Sequence, residues 1–176
     1  EHALFEASRC VAVSPSDTAP ALVALDATMV IASANGTRTM SAEDYFIGPD
    51  RDITHMTALN DGEILTAVRL PASWANAEFY FEKVADRNVW DFALVNVASV
   101  MKVSGGTIDD ARVAVGAVQC TPRRLPAVEN AIRGQQRSED LASRAGQIAV
   151  EGAQPLNYNH FKVPLMANLV TRAIRG

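Results

Sequence analysis

The order of the predicted elements indicates an α+β fold, in which a small mixed α/β module is followed by a three-stranded antiparallel sheet packed on C-terminal helices. In the second module, β-rich runs at residues 79–84, 93–103 and 111–119 precede three helical segments instead of alternating with them. Gly105 and Gly106 separate the last two runs, which is typical of a tight hairpin turn. We therefore expect an antiparallel sheet in this part of the chain.

The first 71 residues combine short strands with a helix. Period-two patterns and β-branched residues predict strands over residues 3–5, 10–13, 28–32, 37–40 and 64–70. The Asn35-Gly36 pair predicts a hairpin turn, and Ser41 is the predicted cap of a short helical turn that ends near Phe46. The change in pattern at residues 71–77 predicts the boundary between the two modules.

A helix is predicted to begin at Ser14, directly after the strand at residues 10–13. Ser14 has the properties of an N-cap, Pro15 suits the first helical position, and Asp17 completes a capping box three residues later. A carboxylate at a helix start can instead turn outward and accept hydrogen bonds from a ligand. On the residues alone, capping is the favoured interpretation of Asp17. The face expected to be buried consists of Ala19, Leu22, Val23 and Ala27.

Three helices are predicted in the C-terminal part of the chain. Pro126 begins the first, which Gly134 closes, and Ser138 caps the second. The third is predicted to begin near Pro164. The apolar positions expected to be buried are Val128, Ile132, Leu141, Ala145, Ile148, Ala149, Leu165, Leu169, Val170 and Ile174.

Composition excludes several classes of protein. The net charge of −4, without a basic run, argues against nucleic acid as a partner. No apolar run reaches the roughly 18 residues expected of a membrane span. The three histidines lie in unrelated contexts, so neither a catalytic triad nor a metal site is predicted. Cys10 and Cys120 lie far apart in the sequence, and we expect two separate buried thiols rather than a disulfide framework.

A series of short segments, in order along almost the whole chain, resembles one family. The segments are residues 10–27, Gly36-Thr37-Arg38, residues 45–49, residues 59–65, Leu70-Pro71, Phe81-Glu82-Lys83-Val84, residues 91–98, residues 111–116 with Thr121-Pro122, and residues 161–165. Together they resemble the second half of the flavin-binding (medium) subunit of molybdenum hydroxylases. This family includes xanthine and aldehyde dehydrogenases and carbon monoxide dehydrogenase, and the periplasmic type of aldehyde oxidoreductase is the most similar variety.

The resemblance implies a domain organisation and a set of cofactor-binding residues. Residues 1–71 would be the C-terminal part of the FAD-binding domain, and residues 78–176 the flavoprotein C-terminal domain. Asp17 matches an acidic residue near the flavin, Leu65 an apolar residue beside the isoalloxazine, and Lys83 a lysine that reaches the flavin pocket from the next domain. Without the resemblance, these side chains are more simply a helix cap, a core strand residue and a solvated lysine.

The resemblance also implies an oxidoreductase function, with FAD as the cofactor of this subunit. Electrons from a molybdenum centre would pass through iron–sulfur clusters to FAD and then to an acceptor. The implied partners are a [2Fe-2S] subunit and a molybdopterin-binding large subunit, and this chain would supply neither a catalytic residue nor a metal ligand.

The glycine-rich loops for the FAD pyrophosphate belong to an N-terminal half in this family. We therefore expect these 176 residues to be part of a longer protein and inactive alone. The alternative is a non-catalytic α+β interaction module that docks to partner subunits without binding flavin.

Overall fold

Two antiparallel sheets and five α-helices form the part of the chain that a computed structural model describes, residues 2–6 and 10–175. In chain order the elements are α1 (Thr18–Ala24), β1 (Thr28–Ser33), β2 (Gly36–Ser41), α2 (Ala42–Tyr45), β3 (Ile64–Arg69), β4 (Glu78–Val84), β5 (Val95–Ser104), β6 (Thr107–Gly116), β7 (Arg123–Arg124), α3 (Pro126–Ile132), α4 (Glu139–Ala149) and α5 (Lys162–Arg175). The α+β fold class is confirmed, with antiparallel sheets and C-terminal helices.

The first sheet has the strand order β2-β1-β3. The predicted hairpin between β1 and β2 is confirmed, and Gly36 has a φ of 125° at its turn, a conformation that glycine adopts readily. Ser41 caps α2 as predicted, because its hydroxyl accepts a hydrogen bond from the backbone N–H of Asp44. The predicted strand at residues 64–70 is confirmed as β3, which pairs with the other edge of β1.

Two strands predicted before α1 are absent from the described residues, so those predictions were wrong. Isolated backbone hydrogen bonds hold residues 3–5 and the end of the segment that follows residue 10, such as Leu4 N–H to Val118 O at 2.7 Å and, directly after residue 13, Ser14 N–H to Gln119 O at 2.9 Å. Their partners follow Ala117, whose φ of 62° turns the chain out of the extended conformation. A continuous ladder cannot form against a segment that bends there.

Helix α1 begins three residues later than predicted. Its N-cap is Asp17, so Ser14 and Pro15 lie outside the helix and the predicted capping box is wrong. Ser14 is buried, with its backbone N–H bound to Gln119 O at 2.9 Å. This tertiary hydrogen bond keeps the segment before the helix beside the end of the second sheet. The predicted apolar face is buried at Ala19, Val23 and Ala27, together with Pro20 and Ala24, whereas Leu22 is half-buried.

The second sheet has the strand order β4-β5-β6-β7, and all of its pairings are antiparallel. The three predicted strands are present, and β7 is a short fourth strand that the sequence pattern did not indicate. The third predicted strand, residues 111–119, was misplaced. It begins at Thr107, directly after the Gly105-Gly106 turn, and ends at Gly116, before the positive φ of Ala117.

Helices α3, α4 and α5 pack with one face of the second sheet around a large apolar core. Pro126 occupies the first turn of α3 and the hydroxyl of Ser138 caps α4, both as predicted. Helix α5 begins two residues before the predicted Pro164, because proline is accommodated within a first helical turn. Leu141, Ile148 and Leu165 are only half-buried, and the core is closed instead by Ala142, Gly146, Met166 and Ala173.

Helix α1 covers the opposite face of the second sheet and links the two sheets. Val23 and Ala24 share a core with Ala98 of β5 and Ala114 of β6. The guanidinium of Arg112, on β6, donates to the carbonyl oxygens of Val23 at 2.8 Å and Ala24 at 3.2 Å. These carbonyls lie in the last turn of α1, where Val23 O also accepts the backbone N–H of Asp26 at 3.2 Å and the helix offers no further N–H donors. A cation at this end also complements the helix dipole.

The segment between the sheets contains a single 3₁₀ turn at Ala72–Trp74, which connects β3 to β4. It coincides with the predicted module boundary at residues 71–77, although the division into two domains stays a prediction. Within residues 2–6 and 10–175, no helix combines the length and the apolar character needed to cross a bilayer.

Replacing Gly146 by alanine should destabilise the contact between α4 and α5. A Cβ atom at this position would lie 2.3 Å from Thr171 Oγ1 and 2.5 Å from Ala167 O, a backbone atom of α5 that cannot move alone. We expect a loss of about 2 kcal/mol in the free energy of unfolding, measured by urea denaturation. Gln147→Ala, on the exposed side of the same helix, is the control and should change it by less than about 0.5 kcal/mol. Equal stability of the two variants would contradict this packing.

Candidate functional site

The start of α1 carries a carboxylate that does not cap the helix. Asp17 is the N-cap residue, yet its side chain accepts no hydrogen bond from the helix backbone. The backbone N–H of Ala19 donates instead to Ser16 Oγ at 3.2 Å, so the hydroxyl before Asp17 takes over part of the capping. Both oxygens of Asp17 are therefore available to other groups.

Two side chains of the second sheet bind these oxygens. Lys83 Nζ donates to Asp17 Oδ2 at 2.7 Å, and Asn96 Nδ2 donates to Asp17 Oδ1 at 3.2 Å. Lys83 and Asn96 are direct cross-strand partners on β4 and β5, and such partners project from the same face of a sheet. The structure thus brings Asp17 and Lys83 together, although 66 positions separate them in the sequence.

Gly116 extends this row to the third strand, where it pairs in register with Asn96. A Cβ atom at Gly116 would lie 2.2 Å from Asn96 Oδ1 and 2.7 Å from Pro20 Cγ. Asn96 is almost fully buried, and its Oδ1 has no hydrogen-bond partner among the described residues. The glycine therefore provides the space in which α1 and the amide of Asn96 pack against the sheet.

Lys83 also holds the loop between β4 and β5. Its Nζ donates to the backbone oxygen of Asp91 at 2.6 Å, and the Asp91 carboxylate accepts the backbone N–H of Phe92 at 3.0 Å. The side chains around this anchor point outward, since Trp90 is 93% and Phe92 72% exposed. The Lys83 ammonium thus connects Asp17 to a loop that presents aromatic rings to solvent.

A cleft of about 370 Å³ lies between this loop and the segment that leads into α1. Its lining includes Ser14, Pro15, Asp91, Phe92, Leu94 and Lys162. Asp17 and Lys83 do not line this cleft but adjoin it, Asp17 two residues after Pro15 and Lys83 through its hydrogen bond to the backbone of Asp91, and their side chains are 42% and 26% exposed. A ligand could therefore contact a carboxylate, an ammonium and an aromatic ring in one region.

Lys162 is a buried cation at the base of this cleft. Its Nζ donates to the backbone oxygens of His2 at 3.0 Å and Ala117 at 2.8 Å. Burial lowers the pKa of Lys162 to about 8, because a charged ammonium loses its hydration inside the protein. Lys162 therefore joins the N-terminal segment to the end of β6 at a cost in electrostatic free energy.

Leu65 lies on the first sheet. It is half-buried, opposite Ile31 in the register of β1 and β3, and it packs against the core that α1 shares with that sheet. Its predicted position beside an isoalloxazine stays a prediction.

No group of three or more histidine, cysteine, aspartate or glutamate side chains is arranged to hold a metal ion in the part of the chain that the structure describes.

Two known protein families match this chain, one in its first part and one in its second. Residues 80–176 match the CO dehydrogenase flavoprotein C-terminal domain, and residues 8–73 match the FAD binding domain in molybdopterin dehydrogenase. The chain belongs to the FAD-binding medium-subunit family of the molybdenum hydroxylases. The family that the sequence segments resembled is thereby confirmed.

Individual relatives of this medium-subunit family are similar along most of the chain. The nicotine 6-hydroxylase medium subunit of Paenarthrobacter nicotinovorans is 31% identical over 157 residues, which are 88% of this chain and 52% of the relative. The aldehyde oxidoreductase FAD-binding subunit PaoB of Escherichia coli is 36% identical over 131 residues, 73% of this chain and 40% of the relative. The chain spans about half the length of the curated relatives it matches.

Solved structures agree with this family assignment. A solved structure of carbon monoxide dehydrogenase from Hydrogenophaga pseudoflava that lacks the Mo-pyranopterin moiety superposes with a TM-score of 0.80 at 29% identity, covering 91% of this chain and 55% of that one. Quinoline 2-oxidoreductase from Pseudomonas putida 86 gives the same TM-score and identity, covering 93% of this chain and 56% of that one. These proteins share the fold of the medium subunit along nearly the whole chain.

Sequence reasoning missed two residues that surround the Asp17–Lys83 pair, Asn96 and Gly116. Asn96 and Ser99 are the two buried polar residues in the apolar first part of β5, and the amide of Asn96 is the signal that could have identified it, since a buried amide needs a partner. Gly116 ends β6 and could have been noticed only with the strand register in hand. Asp17 and Lys83 were both predicted as cofactor-binding residues, and the structure places them in contact without testing that role.

Gly116→Ala should disturb the Asp17–Lys83 site. The added Cβ would displace the Asn96 amide or the start of α1, so we expect a destabilisation of about 2 kcal/mol in urea denaturation. Gly48→Ala is the matched control, because a Cβ there would meet only Thr121 Cγ2 at an ordinary 3.7 Å. The interpretation of the Gly116 contact fails if the two variants are equally stable.

The stability of the protein should depend on pH through Lys162. Its pKa of about 8 in the folded chain lies below the ordinary value of 10.5, so the unfolded chain binds more protons between these two pH values. Relative to Lys162→Met, the free energy of unfolding of the wild type should increase by up to about 3 kcal/mol as pH rises from 8 to 10.5. Below pH 7 the difference between the two proteins should not change with pH. Parallel denaturation curves at several pH values measure the difference, and a constant difference across this window would contradict the burial of a charged Lys162.

Proposed function

We propose that this chain forms one wall of the FAD site in the medium subunit of a molybdenum hydroxylase. The observation that carries the proposal is the Asp17 carboxylate, which is turned from its own helix toward Lys83 and Asn96. A helix start that only needed a cap would use this carboxylate for its own N–H groups. The two opposite charges are instead held side by side next to a cleft.

The residues of this region suit the chemistry of a flavin. The isoalloxazine is planar and carries hydrogen-bond donors and acceptors, which match a carboxylate, an ammonium and the exposed ring of Phe92. When bound, FAD supplies the transfer of electrons toward an acceptor. Lys83 and Asp17 would set the electrostatic potential at the ring, and we propose that Leu65 contributes apolar packing from the first sheet.

In this role the chain acts within a larger assembly. The names of its relatives describe medium subunits and an FAD-binding subunit, and one solved relative is described as a carbon monoxide dehydrogenase that lacks the Mo-pyranopterin moiety of the molybdenum cofactor. We propose that the complete subunit adds the N-terminal half that binds the FAD pyrophosphate. Its partners would be a [2Fe-2S] subunit, which delivers electrons, and a molybdopterin-binding large subunit, where substrate is oxidised.

A second candidate function is that of a non-catalytic module that docks to partner subunits. It is favoured by the exposure of Val89, Trp90 and Phe92, which place three large apolar side chains on one loop. The two candidates differ in whether the complete subunit binds FAD at all. Loss of flavin binding is therefore the measurement that separates them.

Asp17→Asn and Lys83→Met in the complete subunit should change FAD affinity or reduction potential by an amount equivalent to about tenfold in affinity. Asparagine keeps the hydrogen-bonding oxygen and methionine keeps the aliphatic stem, so both variants should retain thermal midpoints near that of the wild type. Fluorescence titration with FAD and a redox titration provide the measurements. Because the two side chains contact each other, the double variant should change affinity by less than the product of the single changes.

Two variants at distant sites serve as controls. Asp61→Asn removes an exposed carboxylate, and Lys102→Met removes an ammonium at the far end of β5. Both controls should bind FAD like the wild type. If Asp17→Asn and Lys83→Met also keep wild-type affinity and potential, the two residues have only structural roles. A complete subunit that does not bind FAD would instead favour the docking module.

A further inference from the structure

The side chains of Cys10 and Cys120 both contact the backbone of Ala12. The N–H of Ala12 lies 3.4 Å from Cys10 Sγ, and the Cys120 thiol donates to Ala12 O at 3.2 Å. Burial raises the pKa of the Cys120 thiol to about 11, and the neighbouring Cys10 thiol contributes to the increase. The sequence predicted two separate buried thiols, and this prediction was wrong because the tertiary structure brings them together.

The pair is accessible from solvent. Both side chains are only half-buried, and they line a cleft of about 150 Å³ together with Ile47 and Met56. A small oxidant can therefore reach the sulfur atoms without unfolding of the core. Accessibility distinguishes this pair from buried structural cysteines, which are inert.

Backbone hydrogen bonds hold the residues that follow Cys10 beside the turn that carries Cys120. Ser14 N–H donates to Gln119 O at 2.9 Å, and Leu4 N–H donates to Val118 O at 2.7 Å. One of these bonds joins the segment after Cys10 to the turn that carries Cys120, and the other joins the N-terminal segment to the same turn. A covalent link between the two sulfurs would strengthen an existing contact.

We propose that Cys10 and Cys120 are a redox-reactive thiol pair that a peroxide converts into an intrachain disulfide. In the first step, the sulfur of Cys10 attacks a peroxide oxygen of H₂O₂, which gives a sulfenic acid and releases one water. In the second step, the sulfur of Cys120 displaces the sulfenic hydroxyl, which leaves as a second water. Two thiols are oxidised and one peroxide is reduced, so atoms and electrons balance.

The order of the two steps follows from the environment of each sulfur. Cys10 Sγ accepts the N–H of Ala12, whereas the Cys120 thiol donates its proton to Ala12 O, and the raised pKa of Cys120 keeps that sulfur protonated until the departing sulfenic hydroxyl takes the proton and leaves as water. Cys10 is therefore the attacking sulfur and Cys120 the resolving one. The disulfide would tie the segment before Asp17 to the turn that follows Gly116, and it does not rest on the proposed flavin function.

Peptide mapping of the complete subunit tests the proposal. The subunit is treated with a small excess of H₂O₂, remaining thiols are alkylated, and trypsin releases residues 10–38 and 113–123 as the two cysteine peptides. We expect a linked species lighter than the sum of the two peptides by about 2 Da, the mass of two hydrogens, which dithiothreitol separates. Two alkylated peptides after treatment, or oxidation of each cysteine without a link, would overturn the proposal.

Single variants assign the two roles. In Cys120→Ser, the sulfenic acid on Cys10 should accumulate and react with dimedone, whereas in Cys10→Ser the oxidation of Cys120 should slow by at least about tenfold. Equal oxidation rates for Cys120 in wild type and Cys10→Ser would contradict the assigned order. The wild-type peptide map decides whether the disulfide forms, even if a variant fails to fold.

Discussion

The packing of α1 between the two sheets is the constraint on which the rest of the structure depends. Gly116 provides the space for Pro20 at one end of the helix, and Arg112 binds the carbonyls of Val23 and Ala24 at the other. A helix of seven residues is too short to be stable by itself in water. Its position is therefore set by the second sheet, through these two contacts with β6 and the apolar contact with Ala98 of β5. The first sheet begins directly after α1 ends, so its position depends on that of the helix.

The same packing produces the candidate site. Because α1 is held at both ends by the second sheet, Asp17 arrives opposite the Lys83–Asn96 cross-strand pair, and its carboxylate binds them instead of its own helix. Departures from local rules of this kind are expected at functional positions, where local stability is given up for an arrangement of charges. Capping by Ser16 reduces the loss.

Charged side chains reinforce the junction between the two sheets. Arg112 and Arg124 of the second sheet both reach Glu43 at the start of α2, at 3.1 Å and 3.4 Å. Arg124 also binds the buried carboxylate of Glu129, whose Oε1 accepts the backbone N–H of Val113 at 3.0 Å. A carboxylate buried in this way requires such partners, because an unpaired charge inside the protein is costly. The network thus adds specific polar contacts to the apolar contacts between the first sheet and the second.

The sequence by itself determined the fold class, most strands and helices, the Gly105-Gly106 and Asn35-Gly36 turns, and the family, since each depends on local patterns or on motifs in order. Only the tertiary structure decided where α1 begins, that residues 10–13 form no strand, and that Asn96 and Gly116 complete the Asp17–Lys83 site. It also brought Cys10 and Cys120 together across 110 positions. The physical reason is that a local preference, such as a Ser14 cap, competes with hydrogen bonds to β5, β6 and the turn after β6, and with the space that these elements leave. Those partners lie far away in the sequence, so no local pattern reveals them.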